Sequence, residues 1–409
     1  MLLRLECTKC AANLPFETTR VRCPNCGEPL EYRGYDAVPQ FEQRSHQQSL
    51  LERYAPLLPS GGRVASVSMG EGFTPLTSMP RLAETLGIGR LAVKNESLNP
   101  TWSFKDRGTA VAVADAIERD FRALGVVSTG NMAASVSAYG ARVALPVIVL
   151  VSTAIPDAKI GPIAAYGSFV VKVSGDYSDL YHRSIALQKL GVRFLNSDAP
   201  ARVEGSKTIA FELWEQCRGE LPDWVVVPTS SGGNIRGIMK GFAELRQLGI
   251  VSSLPRFVCA QASGCAPICT AYDEGASEVR RSSWSGTIAH AIENPLPPSG
   301  NEVLRRLRAG AGLCVSVSDD DIRDAQNALA NEGLFVQPAA AVPVAATKKL
   351  VSDELANRES YVVCVATGSG LKYPESLDGV TRGTAECFIE DVGEVVARWL
   401  QTESKGERL

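Results

Sequence analysis

Histidine is scarce in this chain, which contains three in 409 residues. His46, His182 and His290 are widely separated, so they predict neither a catalytic triad nor a histidine metal site. An excess of charge of one sign is also lacking, because 42 basic and 45 acidic residues leave a formal net charge of −3. No run of Lys and Arg stands out from this balance, which argues against a nucleic-acid partner.

Long apolar runs are missing as well. No stretch approaches the roughly 20 apolar residues that a membrane-spanning helix needs, so no membrane association is expected. The first six residues lack the basic start and apolar core of a secretory signal, which predicts a cytoplasmic protein. With 45% hydrophobic residues, the chain is long enough for two substantial domains and a small appendage.

Cysteine, by contrast, is plentiful, with eleven in the chain. Two C-x2-C pairs are separated by twelve residues, and such pairs can place four thiolates around one tetrahedral Zn²⁺: Cys7, Cys10, Cys23 and Cys26. The alternative is redox-active or unligated cysteines, but the Pro24 to Gly27 turn favours zinc. The other seven cysteines, Cys259 and Cys314 among them, are predicted to pack in the core.

Strand-like apolar runs alternate with helical stretches through most of the chain. This alternation predicts an α/β protein with parallel sheets covered by helices on both faces. A helix is also predicted over 40–57, and the active site is expected at the carboxyl ends of the strands. The predicted strands are 90–94, 125–128, 146–151, 169–173, 192–195, 224–228, 256–260 and 361–366.

The most informative motif is the decapeptide N-P-T-W-S-F-K-D-R-G at 99–108. It places Lys105 after a polar turn and directly before an alanine-rich helical run. Packing at such a junction lowers the pKa of a lysine, which favours a Schiff base with an aldehyde cofactor. Taken alone, the motif could equally be the solvated first turn of a helix.

Three further motifs follow predicted strands. S-T-G-N-M at 128–132 opens a helical run, and its amide groups suit a carboxylate. T-S-S-G-G-N at 229–234 combines glycines with a helix N-terminus, which suits a phosphate. T-G-S-G-L-K at 367–372 offers the hydroxyl of Thr367 to a ring nitrogen. Each segment could also be an ordinary turn, and their order along the chain is what favours a site.

In this order the motifs resemble those of the threonine synthases, which are pyridoxal-phosphate enzymes of fold type II. The family's G-E-G-x-T-P-L occurs at 70–76, and its N-P-T-G-S-F-K-D-R-G is matched except at Trp102. The likeness covers roughly residues 65 to 375. It implies an α/β fold with two doubly wound parallel-sheet domains plus a small N-terminal zinc ribbon, with pyridoxal 5'-phosphate and structural Zn²⁺ as cofactors.

The resemblance also assigns roles to particular residues. Lys105 is expected to form the Schiff base and to move protons, Asn131 to bind the phenolic oxygen, and Thr367 to face the ring nitrogen. The cofactor phosphate is assigned to Ser230, Ser231, Gly232, Gly233 and Asn234. Substrate contacts are assigned to Ser128, Thr129, Gly130, Met132, Asn196, Ser197 and Arg202, the last three for a substrate phosphate that arginine can bind with two parallel donors.

The domain limits that follow are a zinc ribbon at 1–34, a linker at 35–65, and two catalytic domains. The large cofactor-binding domain comprises 66–107 and 206–409, and the small mobile domain comprises 108–205. The family commonly forms dimers, so a homodimer is expected, with a small phosphorylated amino acid as the substrate.

The reaction implied is the conversion of O-phospho-L-homoserine and water to L-threonine and phosphate. Four departures from the family pattern bear on the substrate: Trp102, Met132, Ser369 and Tyr373. A divergent enzyme acting by β- or γ-replacement on another phosphorylated amino acid therefore stays open, as does a non-catalytic zinc-ribbon binding protein on the same scaffold. A serine or threonine dehydratase is disfavoured, because those enzymes lack the ribbon and the phosphate-binding segment.

Overall fold

The structure, a computed structural model, describes residues 3–35, 48–59, 66–153, 159–175, 177–283, 285–373 and 384–404. The strands are β1 (Arg4–Cys7), β2 (Asn13–Leu14), β3 (Leu30–Arg33), β4 (Leu76–Ser78), β5 (Arg90–Asn95), β6 (Ala123–Val127), β7 (Val147–Ser152), β8 (Phe169–Val173), β9 (Val192–Phe194), β10 (Trp224–Pro228), β11 (Arg256–Ala262), β12 (Leu313–Val317) and β13 (Tyr361–Ala366).

The helices are α1 (Leu50–Arg53), α2 (Pro80–Leu86), α3 (Lys105–Glu118), α4 (Asn131–Arg142), α5 (Gly161–Ala164), α6 (Tyr177–Ala186), α7 (Pro200–Gln216), α8 (Gly233–Gln247), α9 (Pro267–Asp273), α10 (Gly300–Ala309), α11 (Asp319–Asn331), α12 (Pro338–Ser352) and α13 (Val392–Ser404). None of the helices within the described ranges combines the length and apolar character that a bilayer crossing demands.

Three sheets organise the first 372 residues. The N-terminal sheet is antiparallel, in the order β2-β1-β3. The six-stranded sheet has the order β12-β11-β10-β13-β5-β4 and is parallel except for β4, whereas the four-stranded sheet has the order β8-β7-β6-β9 and is parallel throughout. The predicted α/β fold with two parallel sheets and a small N-terminal module is therefore confirmed.

The three strands of the N-terminal sheet were not predicted individually. All eight predicted strands are present in the rest of the chain, but the sequence-based prediction was wrong at two others there. It missed β4, which has only three residues, and β12, whose half-buried residues lie at the edge of the six-stranded sheet. The predicted linker helix is also shorter than expected. Within the described part of 40–57, only α1 and a 3₁₀ turn at Ala55–Leu57 form, and residues 40–47 lie outside the described ranges.

Helix α3 packs against α7 through bare backbone. A Cβ on Gly108 would lie 2.9 Å from the Arg202 carbonyl oxygen, and a Cβ on Gly205 would overlap the Arg107 carbonyl. Any larger residue at either glycine would force the two helices apart. The close approach brings the first turn of α3, where Lys105 lies, next to the first turn of α7, where Arg202 lies.

A buried ionic cluster fixes the start of α3. Arg107 donates from Nε and Nη2 to the two carboxylate oxygens of Glu96 at 2.6 and 2.7 Å, and from Nη2 to Glu212 at 2.8 Å. Lys94 reaches the same Glu212 carboxylate at 2.6 Å. All four side chains are almost inaccessible to water, so each charge depends on its partners.

The chain divides into two compact units, residues 1–372 and residues 373–409. The first holds the three sheets, and the second contains α13. The limits of the ribbon, the linker and the two catalytic domains stay a prediction.

Candidate active site

Lys105 is the first residue of α3 and lies beyond the end of β5, where the sequence predicted it. Its side chain is half-buried, and Nζ lies 4.3 Å from the centroid of the Phe104 ring. Burial, together with the charge of Arg202, lowers the pKa of Lys105 to about 7. Nζ forms no hydrogen bond or ion pair within the described residues, so the amine is available for reaction.

Arg202 is the cation next to this lysine. It is 4% exposed, and it donates from Nη1 to the Thr109 hydroxyl at 2.8 Å and from Nη2 to the Lys105 carbonyl at 3.2 Å. Burial lowers its pKa to about 9, partly opposed by the charge of Asp106, and the side chain stays cationic at neutral pH. No carboxylate of the described ranges forms an ion pair with it. A buried guanidinium of this kind is suited to an anion.

The predicted ring-binding residues converge on the same place. Asn131, the first residue of α4, donates from Nδ2 to the side-chain oxygen of Gln337 at 3.0 Å. The backbone amide of Gln337 in turn donates to the Gly368 carbonyl at 3.1 Å. Thr367 is buried, and its carbonyl accepts from the Phe104 amide at 3.0 Å. Gln337 therefore connects Asn131 to the segment after β13, and a direct hydrogen bond joins that segment to the turn that carries Lys105.

The glycine-rich segment 230–234 connects β10 to α8. Gly232 has φ +88°, and a Cβ there would lie 3.0 Å from side-chain atoms of Ser299 and Val303, so only glycine fits without strain. Asn234 is buried, and in the part of the chain that the structure describes neither its side-chain nitrogen nor its side-chain oxygen has a hydrogen-bond partner. Unsatisfied buried groups at a helix N-terminus indicate a polar ligand.

Ser231 differs from its neighbours because other residues of the chain already hold it. Its hydroxyl accepts from Asn294 Nδ2 at 2.9 Å, and its carbonyl accepts from the Ser299 amide at 3.0 Å. Ser230 is half-buried, and Gly233 begins α8. The loop is thus fixed from behind by 294–299, a contact that the sequence did not predict.

The segment expected to bind a substrate phosphate lies against this loop. The Ser197 carbonyl is so close to Gly233 that a Cβ there would overlap it. Asn196 is buried, donating from Nδ2 to the Ser184 hydroxyl at 3.2 Å and accepting from the Val127 amide at 3.4 Å. These bonds join Asn196 to the end of β6 and to α6, so its side chain also positions the segment that begins at residue 196.

The segment after β6 supplies the remaining predicted contacts. Ser128, Thr129 and Gly130 are half-buried, and the Ser128 hydroxyl accepts from the Gly130 amide at 3.3 Å. Within the described residues, no side chain caps the N-terminus of α4, so its first amides have no side-chain acceptor. Met132 is 6% exposed and packs in the core.

Trp102 points outward. Its side chain is 54% exposed, and its backbone has φ +61°, the left-handed conformation that glycine adopts without strain. Its carbonyl accepts from the Ser369 amide at 3.1 Å. Trp102 thus stands at the position of the family's glycine with an exposed indole and a backbone conformation that suits glycine.

Sequence reasoning missed several residues around Lys105. Gln337 accepts a hydrogen bond from Asn131. Asp106 accepts from the Thr101 amide and the Ser135 hydroxyl at 2.6 Å each. The buried Ser103 hydroxyl has no hydrogen-bond partner among the described residues. Burial raises the pKa of Asp106, although its hydrogen bonds act in the opposite direction. Ser103 and Asp106 flank Lys105 within its motif, whereas no sequence signal links Gln337 to Asn131.

The four predicted metal ligands form a single cluster. Their sulfurs lie within 4.8 Å of one another, with Cys7 Sγ 3.4 Å from Cys26 Sγ, and Cys10 Sγ 3.6 Å from Cys23 Sγ. Zinc–sulfur bonds of 2.3 Å in a tetrahedron require sulfur–sulfur separations of about 3.8 Å. The cluster therefore has the geometry that a zinc ion needs.

The other cysteines follow the core prediction only in part. Cys217, Cys259, Cys265, Cys269 and Cys364 are buried. Cys314 is half-buried on the edge strand β12, and Cys387 is exposed, so core packing was wrong for Cys387. The residues around Cys387 do not distinguish an exposed cysteine that precedes the C-terminal helix from a cysteine in the core.

Residues 67–368 match the family of pyridoxal-phosphate dependent enzymes. A threonine synthase from Methanocaldococcus jannaschii is 37% identical, covering 91% of this chain and 93% of the relative. A threonine synthase from Methanosarcina acetivorans is 36% identical, covering 92% and 94%. Among solved structures, diaminopropionate ammonia lyase from Escherichia coli superposes with a TM-score of 0.67 at 16% identity, covering 84% of this chain and 96% of that one.

Proposed function

Because the chain belongs to the pyridoxal-phosphate-dependent enzymes and is similar to threonine synthases over 91% of its length, we propose that it makes L-threonine. The substrates are O-phospho-L-homoserine and water, and the second product is phosphate. The observation that carries the proposal is the pair formed by Lys105, an amine with a pKa of about 7, and Arg202, a buried guanidinium.

Several features support a fit to the cofactor. Among the described residues, the two side-chain polar atoms of Asn234 have no hydrogen-bond partner, and they lie at the N-terminus of α8 directly after Gly232 and Gly233. Lys105 would hold the aldehyde carbon, and Asn131 and Thr367 would hold the ring. Ser230, Ser231, Gly232 and Gly233 complete the phosphate site.

When bound, pyridoxal phosphate supplies an electron-withdrawing ring that stabilises negative charge at the substrate carbon bearing the amino group. Lys105 holds and moves the protons. Its pKa near 7 lets the amine accept a proton from Cα or Cβ and return it at neutral pH. Phosphate then leaves from Cγ with the electrons of the C–O bond, Cγ takes up a proton to become the methyl carbon, and water adds its hydroxyl at Cβ.

Arg202 gives the reaction its preference for a phosphorylated side chain. Its charge is buried beside Lys105 without an acidic partner among the described residues, and the departing phosphate would provide one. The first amides of α4, next to Ser128, Thr129 and Gly130, would bind the substrate carboxylate. We propose in addition that the four-cysteine cluster binds one structural zinc ion.

The direct test is to supply the purified holoenzyme with O-phospho-L-homoserine and to measure phosphate and threonine. We expect both products in equal amounts. Borohydride reduction should fix the cofactor on the peptide that contains Lys105, and Lys105→Ala should lower turnover by at least about 10³-fold. Lys348→Ala, which removes an exposed lysine on α12, is the matched control and should keep full activity.

Two outcomes would contradict the proposal. Phosphate released without threonine would leave an elimination reaction, and a cofactor fixed on another lysine would remove Lys105 from its role. A protein that takes up no cofactor at all would instead favour the non-catalytic scaffold.

Met132 favours one alternative substrate class. It is buried at the start of α4, next to Asn131, where the resembling enzymes carry a small or hydroxyl residue. With methionine there, a hydroxyl that would donate a hydrogen bond to the substrate carboxylate is missing, which is compatible with another phosphorylated amino acid as the substrate. Comparing O-phosphohomoserine, O-phosphoserine and O-phosphothreonine as phosphate donors distinguishes the two, because the preferred donor has the highest kcat/KM.

A further inference from the structure

Asp198 is an acidic residue inside the segment that is assigned to a substrate phosphate. It lies directly after Ser197, and its side chain is only 1% exposed. An unpaired carboxylate there would repel a phosphate group and oppose its binding. The structure pairs it, because Arg22 Nη2 lies 2.6 Å from one carboxylate oxygen, and the Tyr181 hydroxyl lies 2.6 Å from both.

Arg22 belongs to the N-terminal ribbon, which places the compensating charge far from Asp198 in sequence. It precedes Cys23, forms an isolated β-bridge with Pro29, and donates from Nη1 to the Gly27 carbonyl at 3.4 Å. Its position is therefore determined by the same turn that holds two of the four clustered thiols. The guanidinium of an arginine keeps its proton in proteins, so Arg22 supplies a full positive charge to the ion pair with Asp198.

The ribbon also holds the other side of the site. Glu31 on β3 is fully buried and pairs with Arg236 Nε at 3.3 Å and with Arg306 Nη2 at 2.7 Å. Arg236 lies in the first turn of α8, directly after the glycine-rich loop. The ribbon thus contacts both the helix that follows the loop assigned to the cofactor phosphate and the segment assigned to the substrate phosphate.

We propose that Arg22 is a positioning residue of the substrate site, through which the ribbon neutralises Asp198 and holds 196–202 in place for a phosphorylated substrate. This inference rests on the proposed function, because it concerns the same substrate phosphate. It gives the ribbon a role in substrate affinity, in addition to its expected role in folding.

The test replaces Arg22 by Gln and measures KM, kcat and the inhibition constant of inorganic phosphate. We expect KM and the inhibition constant to rise about tenfold, the scale of one partly screened charge interaction, with a smaller change in kcat. Inhibition by L-homoserine, which lacks the phosphate, should change less than twofold. Arg20→Gln, an exposed arginine two residues away in the ribbon, is the matched control and should leave all constants unchanged.

A second variant separates charge from folding. If Arg22→Gln acts by exposing the negative charge of Asp198, then adding Asp198→Asn should tighten phosphate binding at least about fivefold relative to Arg22→Gln alone. If Arg22→Gln only loosens the ribbon, the second substitution should weaken binding further, and the inference is wrong. Cofactor content, read from the visible absorbance of each variant, shows whether the cofactor site is intact.

The remaining outcomes also decide the question. If the wild-type enzyme is active and Arg22→Gln binds substrate and phosphate equally well, the inference is wrong and the proposed function stands. If the wild-type enzyme neither turns over O-phosphohomoserine nor binds inorganic phosphate, both proposals are wrong.

Discussion

At the scale of single residues, Lys105 owes its low pKa to two causes that can be separated. Burial disfavours its charged form, and the nearby guanidinium of Arg202 disfavours it further. Removing the guanidinium should therefore raise the pKa, whereas a lysine in its place should preserve part of the effect.

The measurement is the rate at which an amine reagent modifies Lys105 in the cofactor-free chain, followed by peptide mass spectrometry from pH 5 to 10. In the wild type the rate should rise through pH 7 and then level off, since only the neutral amine reacts. Arg202→Met should move the midpoint to higher pH, and Arg202→Lys should move it less. Identical midpoints in all three proteins would show that burial alone sets the pKa.

Two residues show what the sequence could and could not predict at this scale. Lys105 could be proposed from the sequence because its motif is contiguous and is followed by three further motifs in the family's order. Gln337 was not, because its contact with Asn131 joins residues 206 positions apart, and only the packing of α12 near α4 creates it. The outward orientation of Trp102 likewise depends on a backbone conformation with φ +61°, which costs about 1–2 kcal/mol for a residue with a Cβ.

At the scale of secondary-structure elements, the buried ionic cluster determines where α3 begins. Glu96→Gln removes one of the two carboxylates that pair with Arg107. The cluster then keeps two cations, Arg107 and Lys94, and one carboxylate in a site that water does not reach. We expect the free energy of unfolding to fall by about 3–5 kcal/mol.

Urea denaturation followed by circular dichroism measures this change. The matched control is Glu220→Gln, which breaks an ion pair with Arg90 in which both side chains are more than half exposed. That variant should lose less than about 1 kcal/mol. Equal losses in the two variants would mean that burial does not strengthen the dependence of Arg107 on its partner.

The strands illustrate which elements the sequence determines clearly. The limits of β8, β10 and β13 were predicted to the residue, and in β10 and β13 every residue is buried, so an uninterrupted apolar run identifies them. Strand β12 was missed because an edge strand with half-buried Ser and Cys residues lacks such a run. The order of strands in each sheet depends on contacts between distant segments, which a single sequence does not display.

At the scale of the whole molecule, the ribbon is too small to fold on its own core and is expected to need its metal. The purified protein should contain one zinc ion per chain, and Cys26→Ser should abolish zinc binding. Loss of the ribbon structure would release Glu31 from Arg236 and Arg306, so the melting temperature should fall.

Elemental analysis and thermal unfolding with and without a chelator measure both effects, and Cys387→Ser, which changes an exposed cysteine, is the control. The KM for a phosphorylated substrate should rise, as we also expect for Arg22→Gln. A chelated protein that keeps its melting temperature and its KM would show that the ribbon folds without metal.

The meeting of α3 and α7 at Gly108 and Gly205 has one last consequence. Since main chain touches main chain there, the separation between the backbone positions that carry Lys105 and Arg202 is set by backbone contact and not by the shapes of intervening side chains. The surrounding core can therefore change during evolution without altering this spacing. The two glycines therefore fix how closely the backbone segments that carry Lys105 and Arg202 approach each other.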